Sequence, residues 1–552
     1  MKIIFSLLLT CFFGSFTFSQ YSLVDAKILG SASGDQFVKM TPDEEGNTFV
    51  MANVSSNASG GDLNIAQYGF LDVWLLKLDS DKNIIWQKSY GGDGLDLGNE
   101  IKVLPNGNVL LFIRSNSDLS GNRTASLKGS GHDVWIVEID SDNGDIIRQR
   151  SIGGDGYSDI YIDSKVRANG DIVILCGTNG SGSGNLDIDE PPLNAGTSDP
   201  WIAVLDNQLN ITQQKRLIQG EANGGSGGGV GRGALILSNN YIYIAVSSIG
   251  NSGGYKSDDS FDPDSTVPLS NDCWLIKMDW NFNVIWDKTF GGKSEDEVRD
   301  ILKTEDGDFI ILLNSNSDIG GNKVSPRIGI DYNTWLIKVD ENGNKINDKT
   351  YGNSAETQIQ TKMHRLNENS FVFGGFVETV NDNDFENSSF YGGTYDGFLM
   401  AIDKQLNVKD ISVFGTPADE NIVSLFYKNG KVTTGGNSDY SGTSTYHPTS
   451  TNGSSDLWLL ELSTSLSITN EEIRDVSIFP NPARHKLTIK DADHSITGFS
   501  VYNPLGKQVL SKENTTGNHT FQINVQDFDT GVYFLNLKFK NGNSVRKKFV
   551  VE

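Results

Sequence analysis

Apolar and polar residues alternate in short runs along most of this chain. Trp74, Leu76 and Leu78 alternate with Val73, Leu75 and Lys77, the period of an extended strand. A turn at Asp79 to Asn83 follows, then a second strand from Ile84 to Tyr90 that ends in Gly91-Gly92. The pair recurs. Its Asp-x-Trp start, or a near copy, stands at Asp72, Asp133, Asp199, Asp272, Asn333, Asp396 and Asp456, spaced 60 to 73 residues apart. Between these anchors lies another hairpin. Glu100 to Leu104 and Val109 to Ile113 flank Asn106-Gly107, and Asp306-Gly307 and Asn169-Gly170 sit in equivalent turns. Such dipeptides supply the positive φ that a tight hairpin turn requires.

Four strands per repeat, a to d in order, predict a propeller blade. The a–b hairpins fall near Phe37, Ile101, Val166, Ala234, Ile301, Thr361 and Ile422. The seventh repeat lacks a d strand after Leu457 to Leu462. Tyr21 to Leu29, which ends in Gly30-Ser31, predicts the missing one. The expectation is an all-β chain: a seven-bladed propeller over 20–462, closed by its N-terminal strand and so freed of exposed edges, then a small β-sandwich.

The first 19 residues pair Lys2 with an apolar run from Ile3 to Phe18, too short to span a membrane. They predict a secretory signal cleaved after Ser19. Cys11 lies inside that run, which disfavours a lipoprotein signal. Cys176 and Cys273 fall in apolar strands and read as small core residues. Residues 463–475 read as a linker.

The chain carries a net charge of −25. From residue 470 onward, 11 Lys and Arg outnumber 9 Asp and Glu, so the negative surplus belongs to the repeats. That excludes nucleic acid and anionic lipid as partners of the repeat region. Cations, basic proteins and neutral glycans stay open.

The last segment has its own pattern. Val476 to Phe479 precedes Pro480-Asn481-Pro482, and short strands with glycine turns follow at Gly498 to Lys507, Thr530 to Leu535 and Arg546 to Val551. The Pro-Asn-Pro turn is expected where the chain enters a first strand. These blocks, including Gly506, Gly531, Tyr533, Lys547 and Lys548, resemble the type A C-terminal sorting domain of type IX secretion cargo. The resemblance implies export across the outer membrane of a Gram-negative bacterium, recognition of residues 476–552 by the type IX machinery, cleavage in the linker, and an extracellular or cell-surface destination. The repeats resemble uncharacterised secreted propellers that carry this tail.

Candidate chemistry is sparse. The d–a and b–c connections share one propeller face, and the b–c loops are the long ones, where binding residues concentrate. Asp35, Asp96, Asp159, Asp296 and Glu420 precede strand a and form a candidate ring at the channel mouth. The competing reading is that each orders its own turn. Asp72 and its equivalents serve the blade, and the tryptophans pack between blades. Asp140 to Asp145 resembles a calcium loop but coincides with a c–d turn. Asp258, Asp259, Asp262 and Asp264, in the longest b–c loop, are the better candidates for Ca2+. No His-Glu-x-x-His occurs, and Gly224 to Gly228 is a glycine run rather than a nucleophile elbow. The sequence therefore predicts a binding or adhesion module for glycan or protein ligands. The alternative is a glycan-active hydrolase or lyase using carboxylates at the channel mouth.

Overall fold

A computed structural model describes residues 21–552 apart from 157–158, 181–197, 221–229, 262–269, 451, 465–475, 492–495, 504–507, 514–519, 527 and 540–543. It divides into two compact units, Met1–Leu466 and Ser467–Glu552. Among the described residues the only helical segment is a single turn, Asn383–Phe385. Among the same residues no helix is long and apolar enough to cross a membrane.

The first unit is a succession of antiparallel four-stranded sheets, consistent with a propeller-like fold. Sheet 1 runs Gln36–Pro42, Thr48–Ser55, Leu71–Leu78, Ile84–Tyr90, in the order a-b-c-d. The a strands of the next sheets are Asp96–Val103, Asp159–Val166, Gly233–Leu237, Asp296–Lys303, a split pair Thr357–Ile359 and His364–Asn367, and Glu420–Lys428. In sheet 7 the fourth strand is Ser22–Leu29, paired with Asp456–Ser463 so that Ile28 faces Trp458 and Leu29 faces Leu457.

Burial follows from the order of strands. Strand c is buried on both faces, as in Asp133–Ile139, whereas the d strands are largely half-buried, as in Ile146–Ile152, where Ile147 is exposed. Continuous apolar runs belong in such doubly covered strands. Each buried cluster joins two consecutive sheets: Phe112 and Ile136 of sheet 2 meet Ile174 and Trp201 of sheet 3. One of them joins Leu457 and Leu459 of sheet 7 to Trp74 and Leu76 of sheet 1.

Polar side chains fasten the same junctions. Asn53 Oδ1 accepts from Gly98 N at 2.9 Å, Ser247 Oγ from Val298 N at 2.9 Å, and Asn314 Oδ1 from Ile359 N at 2.7 Å. Asn437 Oδ1 likewise accepts from Phe37 N at 3.0 Å, linking sheet 7 to sheet 1 across 400 residues. Each such bond contributes about 1 kcal/mol, and orphaning either buried partner costs more. Strand a also carries a bulge in sheets 1, 2, 3, 5 and 7, just before Lys39, Glu100, Asp163, Asp300 and Ser424. In sheet 6 the disruption is larger, which the alternation around Thr361 does not reveal. Gln360 N and Thr361 N both donate to Gly374 O, while Gly374 N donates to Thr361 Oγ1. Beside these irregularities side chains of distant sheets meet: Lys362 Nζ of sheet 6 bonds Asp163 Oδ1 of sheet 3.

The second unit has a three-stranded sheet, Val476–Phe479, Lys486–Asp491 and Thr520–Asn524, and a four-stranded one, Gln508–Glu513, Ile496–Tyr502, Gly531–Phe539 and Ser544–Val551. Leu487, Ile489, Phe499, Val501, Leu535 and Phe549 form its shared core. Pro480-Asn481-Pro482 follows the first strand instead of leading into it. It links the three-stranded sheet to the last strand: Asn481 Oδ1 accepts from Val550 N at 2.9 Å, and Ala483 N donates to Val550 O at 2.8 Å. The turn's place is set by this long-range partner, which local sequence does not display.

Candidate functional site

The d–a turns and the ends of the b–c loops lie side by side. Asp35 N donates to Ser455 O, Asp159 N to His132 O, Asp296 N to Asn271 O and Thr357 N to Tyr332 O, all at 2.7 to 2.8 Å. On this face a cavity of about 630 Å3 lies among sheets 6, 7 and 1. Phe376 and Tyr395 meet edge to face with ring centroids 4.8 Å apart. Gln36, Gln358, Asn421 and Asn437 supply amides, and Glu356, Asp419 and Asp439 supply carboxylates. Tyr395 Oη donates to Glu356 Oε2 at 3.2 Å. Aromatic edges beside amides and acids suit a neutral or cationic polar ligand. The half-buried rings offer apolar area, and the lining carries no lysine or arginine.

Asp35 and Glu420 also border this cavity, but their oxygens are engaged. Asp35 accepts from Ser31 N at 2.5 Å and Ser31 Oγ at 2.9 Å. Glu420 accepts from Thr416 N and Ser438 Oγ, each at 2.7 Å. Asp96, Asp159 and Asp296 repeat the arrangement in sheets 2, 3 and 5, accepting from Gly92 N, Gly154 N and Gly292 N at 2.7 to 2.9 Å. The structure thus brings Asp35 and Glu420 to one cavity and leaves the other three beside their own turns. Burial, opposed by these hydrogen bonds, raises the carboxyls of Asp159 and Asp296 to about 6. Burial likewise moves Asp35 and Glu420 upward.

A second carboxylate stands behind each turn. Asp72 accepts from Tyr68 N at 2.5 Å, Asp396 from Tyr391 N at 2.8 Å and Asp456 from Asn452 N at 2.6 Å. Burial lifts Asp72 and Asp456 to about 6 and Asp396 to about 7. The glycine that ends strand d exists because of this residue. A Cβ at Gly91 would lie 1.9 Å from Asp72 Oδ1, and one at Gly415 1.9 Å from Asp396 Oδ1.

The tryptophan anchors Trp74, Trp135, Trp201, Trp274, Trp335 and Trp458 are buried. Trp135 Nε1 donates to Gln149 Oε1 at 3.0 Å and Trp335 Nε1 to Asp348 Oδ2 at 3.0 Å. Cations from the b–c loops cover the rings: Arg123 lies 5.5 Å from the Trp135 centroid and Lys323 4.9 Å from that of Trp335. The loops are therefore partly repetitive, a feature the sequence reading passed over. The signal is visible as Asn116-Ser117-Asp118-Leu119-Ser120-Gly121-Asn122-Arg123 against Asn316-Ser317-Asp318-Ile319-Gly320-Gly321-Asn322-Lys323. Gly121 and Gly321 have φ of +57° and +53°, a conformation that favours glycine. Asn122 and Asn322 then reach back to accept from Gly91 N and Gly291 N, each at 3.0 Å.

The remaining candidates separate. In the turn after strand c of sheet 2, Asp140 Oδ1 accepts from Asp142 N and Asn143 Oδ1 from Asp145 N, both at 2.8 Å. Asp259 accepts from Ser252 N at 2.9 Å and Ser252 Oγ at 2.6 Å. Asp258 borders a separate cavity of about 570 Å3, and Asp262 and Asp264 lie outside the described residues. Among the described residues no group of three His, Cys, Asp or Glu side chains gathers in a way that would hold a metal. Cys176 and Cys273 are buried thiols.

In the second unit, Tyr533 packs between Phe528 and Phe549, with ring centroids at 5.0 and 5.7 Å, and its hydroxyl donates to Asp529 O at 3.0 Å. Gly531 has φ of +152°, and Lys547 and Lys548 lie on the last strand. Gly506 lies outside the described residues. The match to a known family falls here. Residues 477–552 match the secretion system C-terminal sorting domain. This sorting domain marks the chain as type IX secretion cargo, a secreted or cell-surface protein that engages that machinery.

Two curated proteins share sequence with it. An endo-acting ulvan lyase of Formosa agariphila is 35% identical over 91 residues, 16% of this chain and 17% of the lyase. The ulvan lyase NLR42 of Nonlabens ulvanivorans is 30% identical over 95 residues, 17% of each chain. This chain thus spans about a sixth of each relative's length, a stretch comparable to the sorting domain alone. Among solved structures, Raptor of Chaetomium thermophilum covers 81% of this chain with 9% identity and a TM-score of 0.41. A protein of unknown function from Dyadobacter fermentans covers 80% with 7% identity and a TM-score of 0.35.

Proposed function

We propose that this chain is an exported binding module. In this reading residues 20–462 form a seven-bladed propeller, closed by pairing of the N-terminal strand with the last c strand. The closed ring is supported by the Ile28–Trp458 pairing and the Asn437–Phe37 bond. Residues 1–19 are the signal, 463–475 the linker, and 476–552 the sorting domain. The ligand is a neutral or basic glycan or protein segment, held on the long-loop face.

One observation carries this: the b–c loops, on the face that holds the aromatic and amide-lined cavity, display Tyr68, Phe70, Leu119, Ile319, Val324, Ile330 and Tyr391 as exposed large apolar side chains. Apolar groups concentrated on one loop-rich face mark an interaction surface. The lyase reading draws support from Glu356 and Asp419 beside Tyr395, but the two mouth carboxylates that border that cavity, Asp35 and Glu420, are already committed to turn hydrogen bonds.

The test is a glycan array probed with the purified protein, in calcium and in chelator, beside the Tyr395→Ala variant. Selective binding that Tyr395→Ala reduces tenfold or more is expected. Turnover of a bound glycan would favour the enzyme, and loss of binding in chelator would direct attention to Asp258 and Asp259. Deleting 476–552 is expected to leave the propeller folded inside the periplasm, and normal export of that truncation would refute the sorting role.

A further inference from the structure

The other end of the sheet assembly has the opposite electrostatics. A cavity of about 590 Å3, sharing no lining residue with the first, is bordered by residues in or beside strand a of all seven sheets, with Ile236 the one from sheet 4. Five amines line it: Lys39, Lys102, Lys165, Lys303 and Lys362. Three carboxylates answer them. Glu100 and Asp300 line the cavity, and Asp163 lies buried behind it. His364, also in the wall, is pushed down to about 3 by burial and by the surrounding lysines, so it adds no charge at neutral pH.

The carboxylates do not consume the amines. Asp163 Oδ1 takes Lys362 and its Oδ2 takes Leu235 N at 2.9 Å. Asp300 Oδ2 takes Met363 N at 2.8 Å. Glu100 Oε2 is shared by Lys102 at 3.3 Å, Lys39 at 3.6 Å and Lys362 at 3.9 Å, while Lys165 stands 3.4 Å from Asp163 Oδ2. An ammonium has three donors. Lys39, Lys102 and Lys165 therefore keep donors that two shared carboxylates do not satisfy. Their side chains retain 19%, 22% and 37% exposure, and all three line the cavity. A surplus of positive charge is thus concentrated inside a protein whose net charge is −25. Low-dielectric walls focus such a field and favour a charge-assisted ligand.

We propose that this cavity is a binding site for a small multivalent oxyanion, phosphate or sulfate, free or as the ester of a larger molecule, held by Lys39, Lys102 and Lys165. The cavity is far larger than the roughly 30 Å3 share of one water, so an ester with a sugar-sized body fits as well as the bare ion. This site is independent of the ligand proposed for the long-loop face.

The experiment is calorimetric titration of the full-length protein with inorganic phosphate, inorganic sulfate and glucose 6-phosphate, against sodium chloride of equal ionic strength. Saturable binding is expected for at least one oxyanion, at least tenfold weaker in Lys165→Gln and in Lys102→Gln, and unchanged in Lys409→Gln, whose amine pairs with Asp403 on the exposed surface. Binding of the ester alone identifies a larger ligand carrying the group. Binding of the inorganic ions alone identifies free anion. No saturable binding, or binding undiminished in both cavity variants, overturns the proposal. Thermal unfolding of each variant in chloride shows whether it is folded, and a folded Lys102→Gln suffices if Lys165→Gln is not.

Discussion

Asp159 and Asp163 lie four residues apart on one strand, are both buried, and titrate in opposite directions. Asp159 rises to about 6 because burial outweighs its hydrogen bonds from Thr178 and Gly154 and the more distant Arg216. Asp163 meets a burial penalty too, but Lys165, Lys362 and Lys102 hold it well below the usual carboxylate range. Glu100 behaves likewise, at about 2: its burial penalty is overcome by Lys102, Lys39 and Lys362. The two rings of acids are thus built for different purposes. At the long-loop end the carboxylate accepts backbone N–H groups and orders a turn. At the other end it anchors amines from several sheets. Asp300 marks the boundary, since it faces Lys362 and Lys165 yet is raised by burial and by Asp163.

The largest effect is expected from Lys362→Met. Its ammonium joins sheet 6 to Asp163 of sheet 3 and Glu100 of sheet 2, and removal leaves both carboxylates with less compensation. Breaking a buried pair from one side costs about 3–5 kcal/mol. Thermal unfolding should show the loss, and Asp163→Asn in the same chain should restore part of it. A Lys362→Met protein as stable as the parent would mean that the cavity is solvated and the ring of amines is loosely held.

Next comes pH. Asp72, Asp133, Asp159, Asp296 and Asp456 sit at about 6 and Asp396 at about 7, above the ordinary aspartate value. A raised folded-state pKa gives stability that is present at low pH and lost as pH rises through 6 to 7. On the order of 1 kcal/mol per group is expected from linkage. The protein should therefore melt at higher temperature at pH 5.5 than at pH 8. Below about pH 4 the trend reverses, because Glu100 and Asp163 are depressed and their contribution vanishes as they protonate. A flat profile between pH 5.5 and 8 would show that water reaches the turn carboxylates.

What the sequence discloses depends on range. Asn106-Gly107 and the Trp74 anchor act within a few residues, so the all-β class and the order of strands within a sheet are legible in the chain. The partner of the Ser22–Leu29 strand is legible too, because the seventh repeat lacks one member. The lysine cavity is not. Lys39, Glu100, Asp163 and Lys362 follow irregularities in strand a, and a bulge leaves no mark on alternation strong enough to read. Their meeting brings together strands from several repeats, with Lys362 and Asp163 199 residues apart. Asn481 and Val550 teach the same lesson in the tail: the motif is local and its partner is the final strand.

The smallest effect tests whether the turn carboxylates need their charge at all. Sheet 5 has Asn333 where its neighbours have aspartate, and Asn333 Oδ1 accepts from Ile328 N at 2.9 Å and Gly329 N at 3.2 Å, the role Asp72 Oδ2 performs in sheet 1. An amide oxygen is therefore sufficient. Asp396→Asn should change stability by less than about 1 kcal/mol at pH 8, in the stabilising direction, because it removes a buried charge that burial already disfavours. It should also remove one group's share of the pH dependence. Asp396→Ala should cost about 1–3 kcal/mol, since Tyr391 N loses its acceptor. Equal losses from both variants at pH 8 would mean that the negative charge itself, and not the accepting oxygen, holds the turn.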